Sequence, residues 1–197
     1  MRTGRRVGLA TATLLLAASA RFASAQAQAA CPAGKTGKGP AITAKEAWDL
    51  ASQRAKTWKP DAVPFEVTTT SLGPLDAQGR STDWNIKFSS ASGKAVDMIS
   101  LTNGQITCYA INGAGGRVIE WDDSIVLDSK KLYDTAQKAG GDKLAPGSKI
   151  MAGLNQNRPG GLTLWYLNYE GANGKQVLSV VIDAKTGNVK NVFPSEK

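Results

Sequence analysis

The sequence predicts an α+β fold in which one unit, a helix followed by an antiparallel β-meander, occurs twice. Two stretches carry this prediction, "WNIKFSSASGKAVDMISLTNGQI" starting at Trp84 and "WYLNYEGANGKQVLSVVIDAKTGNV" starting at Trp165. Both begin with tryptophan in an alternating strand, turn at a glycine, and reach a second glycine before another strand begins. So many shared positions indicate an internal duplication.

The two tryptophan strands alternate apolar and polar residues. The apolar members share one face of each strand: Trp84, Ile86 and Phe88 in the first, and Trp165, Leu167 and Tyr169 in the second. This period of two is typical of a half-buried strand. The dipeptide Asn173-Gly174 tolerates positive φ at both residues, and it predicts a tight hairpin turn after the second strand.

A helix is predicted before each meander. Thr43 and Glu46 form a capping box, and Pro60 ends the first helical segment. Asp128 caps the second helix, and Gly140 provides its stop. The segments "VPFEVTTTSL" and "SKIMAGLN" lie between helix and tryptophan strand and read as further strands. Each unit therefore has a helix and about four antiparallel strands.

The first 25 residues have the order of an export signal. Arg2, Arg5 and Arg6 precede the apolar run "VGLATATLLLAASA", and small residues follow it. The run is shorter than the roughly 20 apolar residues that a membrane-spanning helix needs. The sequence therefore predicts a signal peptide at residues 1–25, a periplasmic or secreted protein, and no membrane span.

The remaining chain divides into four predicted segments. They are a disulfide-anchored N-terminal segment at residues 26–42, a first repeat at 43–119, an acidic linker at 120–127, and a second repeat at 128–197. About 170 residues are enough for one domain of ordinary size or for two small ones.

Charge and composition disfavour nucleic-acid binding. Residues 1–25 carry four arginines and no acidic residue, so their removal lowers the formal net charge from +8 to +4. The other basic residues form no run, and the aromatic residues do not alternate with Lys or Arg. A nucleic-acid-binding chain usually shows such a basic stripe.

The residue types present exclude several classes of enzyme. The chain has no histidine, so Ser-His and Cys-His nucleophilic systems and histidine-ligated zinc sites are not expected. It also lacks a phosphate-cradling glycine loop and a zincin helix. Carboxylate chemistry, Ser-Lys arrangements and simple binding stay open. Among these an enzyme that uses carboxylates has the least support, and we expect no catalytic residues, no cofactor and no enzymatic activity.

The chain has two cysteines, Cys31 and Cys108. In an exported protein we expect a single disulfide between them, which would contribute about 2–4 kcal/mol to folding. The alternative is that Cys31 is the lipidated first residue of a lipoprotein. Gln28 argues against this use, since lipoprotein signals usually carry an apolar residue three positions before the cysteine.

The acidic stretch "EWDDSIVLD" between the two units is a candidate metal site. Glu120, Asp122 and Asp123 offer the carboxylate oxygens that hard cations bind. Their spacing matches no EF-hand, and a polar linker also needs acids merely for solvation. A metal site at these three residues and simple solvation of the linker both stay open.

A second candidate surface is the loop "NQNRPGGL", Asn155 to Leu162. Polar loops on a rigid sheet often contact partners, although most are plain connections. Tyr109, Trp121 and Tyr166 are candidate exposed aromatic residues, because each lies off the better apolar face of its segment. An aromatic patch there would favour protein binding.

The stretch Leu164 to Val192 resembles the PepSY domain. The likeness rests on the Trp165 strand, the hairpin at Gly174, the turn "DAKTG" from Asp183 to Gly187, and Val189 after it. It covers residues 128–197 as one unit, and residues 43–111 resemble a divergent copy without that turn. The resemblance implies tandem PepSY-like, or cystatin-like, units in an exported bacterial protein, and the binding or inhibition of a peptidase. It implies no catalytic residue, since the shared positions are turns and core residues.

Two functions follow as expectations. The first is a non-enzymatic exported binding protein that docks or regulates a protein partner such as a peptidase. The second is a periplasmic protein that binds a hard metal cation or a small ligand. The features that the two units do not share, chiefly residues 120–128 and 155–162, are where the function is expected.

Overall fold

The computed structural model describes residues 34–35, 40–90, 95–111, 122, 124–156 and 160–194. Its helices are α1 Ala44–Trp58 and α2 Ser129–Lys138, with a 3₁₀ turn at Gly141–Lys143. Its strands are β1 Gly34–Lys35, β2 Ile42–Thr43, β3 Ala62–Thr69, β4 Arg80–Ser81, β5 Asp83–Ser90, β6 Ala95–Thr102, β7 Gln105–Ile111, β8 Lys149–Gln156, β9 Thr163–Glu170, β10 Gln176–Asp183 and β11 Val189–Pro194. The predicted signal peptide at residues 1–25 lies outside the described residues.

Nine of the strands form one antiparallel sheet. Its order is β1-β7-β6-β5-β3-β8-β9-β10-β11, and β2 pairs with β4 in a small separate ladder. The sheet is continuous because β3 pairs with β8, where Val67 lies opposite Leu154 and Thr68 opposite Gly153. We call this junction the β3–β8 seam.

The predicted fold class, two repeats of a helix followed by an antiparallel β-meander, is wrong. The protein is mostly sheet, with strand residues outnumbering helical residues by more than two to one among the described residues. The sequence left open whether the strands of the two units form one sheet or two, and they form one sheet of nine. The physical reason lies in β3 and β8, whose backbone groups would be unpaired sheet edges if each unit stood alone. The predicted domain boundaries and the duplication stay predictions.

Both helices contribute to a single core on one face of the sheet. α1 buries its alanine stripe, Ala44, Ala47, Ala51 and Ala55, and α2 buries Leu132 and Ala136. The predicted caps are confirmed. Thr43 and Glu46 form the capping box of α1, and the Asp128 carboxylate accepts from the Lys131 N–H at 3.0 Å. Small side chains on α1 let the helix lie close to the strands.

The two tryptophans of the alternating strands are fully buried in this core. The indole N–H of Trp84 donates to the Ile42 carbonyl at 2.9 Å, just before α1. The indole N–H of Trp165 donates to the Val126 carbonyl at 2.8 Å, just before α2. Each buried indole therefore satisfies its only donor by fixing the chain that leads into a helix.

The tight turn with two positive φ values is at a different hairpin from the one predicted. Asn103 and Gly104, between β6 and β7, have φ values of 48° and 77°. At the predicted position, only Gly174 has positive φ, within a longer turn in which the Gly171 N–H donates to the Lys175 carbonyl. A longer loop removes the need for positive φ at both central residues.

Candidate functional site

Both described helices pack on one face of the sheet, and the opposite face carries neither of them. Its side chains are mostly polar and half-buried, and we call it the uncovered face. On three neighbouring strands in the middle of the sheet it carries Thr68 of β3, Gly153 of β8, and Tyr166 and Asn168 of β9. Such a mixture of amide, hydroxyl and aromatic groups on a rigid sheet can bind a ligand or a partner.

A groove of about 690 Å³ lies on this face at the β3–β8 seam. Its lining includes Phe65, Thr68, Gly153, Asn155, Tyr166 and Asn168, and we call it the Gly153 groove. The seam has only two register pairs, and β3 has a bulge between Pro64 and Glu66. A bulge bends its strand, and beyond the pair Val67–Leu154 the strands β3 and β8 are no longer paired, which leaves the groove between them.

Some polar groups of the Gly153 groove are engaged within the protein. The Asn168 side-chain oxygen accepts from the Ser179 hydroxyl at 2.7 Å, and the Gln156 amide donates to the Gly161 carbonyl at 3.1 Å. The side chains of Asn155 and Tyr166 have no hydrogen bond in the described part of the chain. These two residues therefore keep free donors and acceptors for a ligand.

The groove carries no net charge. Its one acidic residue, Glu66, forms an ion pair with Lys87 of the neighbouring strand. Both side chains are about seven-tenths buried, which strengthens the pairing relative to a fully exposed one. A ligand of this groove would meet neutral hydrogen-bonding groups and two aromatic rings, those of Phe65 and Tyr166.

A second cleft, of about 600 Å³, lies where the N-terminal ends of the two helices approach each other. Its walls include Trp48 and Asp49 of α1 and Asp122, Leu127 and Asp128 before α2. The Ala44 N–H donates to the Ser129 hydroxyl at 3.0 Å and ties the two helix starts together. This cleft adjoins the predicted acidic linker.

Asp122, one of the three predicted metal ligands, is already engaged by a cation. Its carboxylate pairs with the Lys185 ammonium and accepts from the Ser124 N–H at 2.9 Å. The hydrogen bond from Lys185, and after it the hydrogen bonds from Ser124, lower the pKa of Asp122 from its ordinary value to about 2. A metal ion at Asp122 would therefore have to displace Lys185.

The other two predicted ligands, Glu120 and Asp123, lie outside the described residues. Among the residues that the structure does describe, no group of three His, Cys, Asp or Glu side chains is placed to hold a metal ion. The metal site at Glu120, Asp122 and Asp123 therefore stays a prediction. A terbium titration followed by tryptophan-sensitised emission would test it.

The predicted disulfide also stays a prediction. Cys31 lies outside the described residues, while Cys108 lies in β7, packs against the core and is not a free cysteine. The nearby strand β1 pairs with β7, with Gly34 opposite Ile106 and Lys35 opposite Gln105. This pairing brings the chain that follows Cys31 next to the strand that carries Cys108, which supports the proposed pairing.

The three candidate exposed aromatic residues are described only in part. Tyr166 lies half-buried on the uncovered face, as the alternation predicts. Trp121 and the side chain of Tyr109 lie outside what the structure describes. The loop predicted at Asn155 to Leu162 is described at its two ends, and Asn155 and Gln156 contribute to the Gly153 groove.

Within the described ranges, two buried side chains, those of Asp97 and Tyr169, have a polar atom without a hydrogen-bond partner, and neither was predicted from the sequence. Asp97 of β6 lies on the core side, 4% exposed, and its Oδ2 atom has no hydrogen-bond partner. Burial raises its pKa to about 6, against the opposing effect of the Met98 N–H. The sequence does contain a signal for Asp97. When the two repeats are aligned with Trp84 on Trp165, Asp97 takes the position of Leu178, an apolar residue. Tyr169 likewise buries a hydroxyl without a partner, and burial raises its pKa.

The last strand, β11, is a bare edge of the sheet. All six of its residues are exposed, and within the described residues no strand pairs with its outer side. It includes three exposed apolar side chains: Val189, Val192 and Phe193.

The turn before β11, Asp183 to Gly187, has the expected structure. The Asp183 carboxylate accepts hydrogen bonds from the N–H groups of Lys185 and Thr186. Gly187 has a positive φ of 73°.

Neither described helix is long and apolar enough to cross a membrane. No family model matches the chain, and no curated protein matches it. The chain is similar in structure to a candidate lipoprotein from Clostridium difficile 630, with a TM-score of 0.53 and 9% sequence identity. The similarity covers 81% of this chain and 97% of that chain. At this identity the comparison shows a shared fold and no more.

Proposed function

We propose that the protein is an exported, non-catalytic binding protein that docks a protein partner by strand addition on β11. The observation that carries the proposal is the bare edge itself, six exposed residues at the end of a nine-stranded sheet. An edge strand presents unpaired backbone N–H and C=O groups. An extended segment of another protein can pair with them and become the next strand.

The side chains of β11 support this mode of binding. Val192 lies opposite the core residue Val180, whereas Phe193 lies opposite Ser179 on the uncovered face. An added strand would therefore find apolar contacts on both faces. Bare edges are normally blocked by charged residues or proline. On β11 the single lysine, Lys190, is engaged with Asp183 at 3.3 Å, and Pro194 stands only at the end of the strand.

Partner and location are proposed from the sequence features. The PepSY resemblance supports a peptidase as the partner that supplies the extended segment. The predicted signal peptide supports a periplasmic or secreted location, and a lipoprotein as structural neighbour agrees with it. The lack of histidine in the chain supports a binding role without catalysis.

The test uses the exported protein as bait in an extract of co-exported proteins. Val192→Lys places a charge on the edge, so we expect it to reduce the recovered partner at least about tenfold, which corresponds to about 1.4 kcal/mol of binding free energy. Amides of β11 should become protected from hydrogen exchange in the complex. Any peptidase recovered should show altered activity when the wild-type protein is added.

The matched control is Leu72→Lys. Leu72 is 86% exposed in the turn after β3, so this variant adds the same charge away from the edge. It should bind as the wild type does. Partner binding that survives Val192→Lys, or a complex without protection of β11, would contradict strand addition.

A further inference from the structure

We propose that the Gly153 groove binds a neutral oligosaccharide. This site is separate from the β11 edge, and the inference goes beyond the proposed function because it assigns a second ligand to the uncovered face. The groove contains a glycine that the fold does not require.

Gly153 lies in the interior of β8, a central strand. It is absent from the residues with positive φ, and the pairing of β8 with β9 runs through it without a bulge. A Cβ added there would lie 3.6 Å from the Thr68 Cγ2 atom, an ordinary contact distance. Neither the backbone nor the packing therefore demands glycine at this position.

Glycine inside a strand is costly. It destabilises by roughly 0.5–1 kcal/mol relative to alanine, because it loses more conformational freedom on folding. A strand glycine without a bulge or a bend often marks a place where another molecule comes close to the backbone. Here the missing side chain leaves a notch between Thr68 of β3 and Tyr166 of β9, the two direct neighbours of Gly153.

The groups around the notch match the chemistry of a sugar. The residue directly opposite Tyr166 on β8 is Gly153, which has no side chain, and the Tyr166 ring lines the groove there. An apolar sugar face can pack against such a ring. The free amide of Asn155 offers both donors and an acceptor, and a sugar hydroxyl can accept and donate in return. The paired charges of Glu66 and Lys87 leave no charge to attract an ionic ligand.

An extended peptide fits the groove less well than a sugar. β8 pairs with β9 along its whole length, and β3 pairs with β5 along most of its own. On the seam side, beyond the two register pairs, β8 has only Asn155 and Gln156 left, and β3 has a bulge beside Pro64, which lacks an N–H. The groove therefore offers only a short, interrupted set of backbone donors and acceptors. A bound peptide would leave most of its own backbone groups unpaired, whereas the β11 edge offers a longer row.

The test titrates four neutral hexasaccharides, cellohexaose, maltohexaose, xylohexaose and hexa-N-acetylchitohexaose, into the full chain by calorimetry and by NMR of the tyrosine rings. We expect at least one of them to bind and to shift the Tyr166 ring signals. Tyr166→Ala should weaken that binding at least about tenfold. A flat response to all four at about 1 mM, near the limit of weak specific binding, would overturn the proposal.

Gly153→Leu is the decisive variant. It fills the notch and replaces a strand glycine, so we expect an equal or higher Tm together with loss of sugar binding. Ser89→Leu adds the same bulk to the uncovered face of β5, away from the groove, and should bind as the wild type does. Val192→Lys should also leave sugar binding unchanged, which separates this site from the proposed edge. Binding that survives Gly153→Leu contradicts the proposal.

Discussion

Asp97 is the least favourably placed charged residue among those described. It lies opposite Phe88 on the neighbouring strand, and the next residues on its side of β6 are the buried Ile99 and Leu101. A carboxylate in such surroundings loses its hydration, and no hydrogen bond to the Oδ2 atom replaces the lost water. The folded protein therefore holds the proton of Asp97 more tightly than the unfolded chain does.

The pH dependence of stability follows from this raised pKa. Because the folded-state pKa is about 6 against an unfolded value of 3.8, the contribution of Asp97 to stability is greatest below pH 4 and falls as the pH rises towards 6. Asp97→Asn removes the ionisation, so we expect the variant to gain about 2 kcal/mol over the wild type between pH 4 and pH 7. Urea unfolding at the two pH values measures this gain.

Asp49→Asn is the control for the loss of one negative charge, because Asp49 is exposed on α1. An equal stability difference between Asp97→Asn and the wild type at both pH values would show that the carboxyl is not held protonated by burial.

At the scale of the element, the start of α1 is where sequence and structure agree most closely. The Thr43 hydroxyl accepts from the Glu46 N–H at 3.3 Å, and the Glu46 carboxylate accepts from the Thr43 N–H at 3.0 Å. Both partners are three residues apart, so the pattern is local and visible in the sequence. The same segment supplies the Ile42 carbonyl to Trp84, which couples the cap to the core.

Thr43→Ala should therefore lower the free energy of unfolding by about 0.5–2 kcal/mol, since it leaves a helix N–H without its acceptor. Chemical unfolding monitored by tryptophan fluorescence measures the loss. Thr57→Ala removes a hydroxyl from the exposed last turn of the same helix and should change stability much less. Similar losses in the two variants would show that the capping box contributes little.

At the scale of the whole molecule, the β3–β8 seam makes one sheet from the two halves of the chain. Two register pairs carry it, and a side chain adds to them, because the Ala152 N–H donates to the buried Thr69 hydroxyl at 2.9 Å. The Leu75 N–H also donates to the Ile150 carbonyl at 2.8 Å beside the seam. So short a junction should be a weak point of the sheet.

Thr69→Val tests the seam. It leaves the Ala152 N–H buried without a partner, so we expect a loss of about 1–3 kcal/mol and faster hydrogen exchange at Ala152 and Leu154. Thr68→Val changes the adjacent residue on the uncovered face. The Thr68 hydroxyl lies 3.5 Å from the Asn85 carbonyl, a long hydrogen bond, so its loss should have a smaller effect on both measurements. Unchanged exchange at the seam in Thr69→Val would mean that the Thr69 hydroxyl does not hold it.

The sequence indicates local structure better than it indicates the joining of distant parts. Caps and alternating strands depend on residues three or fewer positions apart, and they were predicted correctly at Thr43, Asp128, Trp84 and Trp165. The pairing of Val67 with Leu154 joins positions far apart in the chain and has no local pattern. For the same reason the Gly153 groove was not predicted, although the lone glycine in "SKIMAGLN" is a recognisable irregularity.

The two ends of the nine-stranded sheet are unequal, and this fixes how far strand addition can proceed. At one end β1 already occupies the start of β7, while at the other end β11 is bare among the described residues. Open-ended growth into a fibre needs two receptive edges on each molecule. Strand addition on β11 takes a single added strand, so a complex formed there has one-to-one stoichiometry, and two copies that paired through β11 would form a closed dimer.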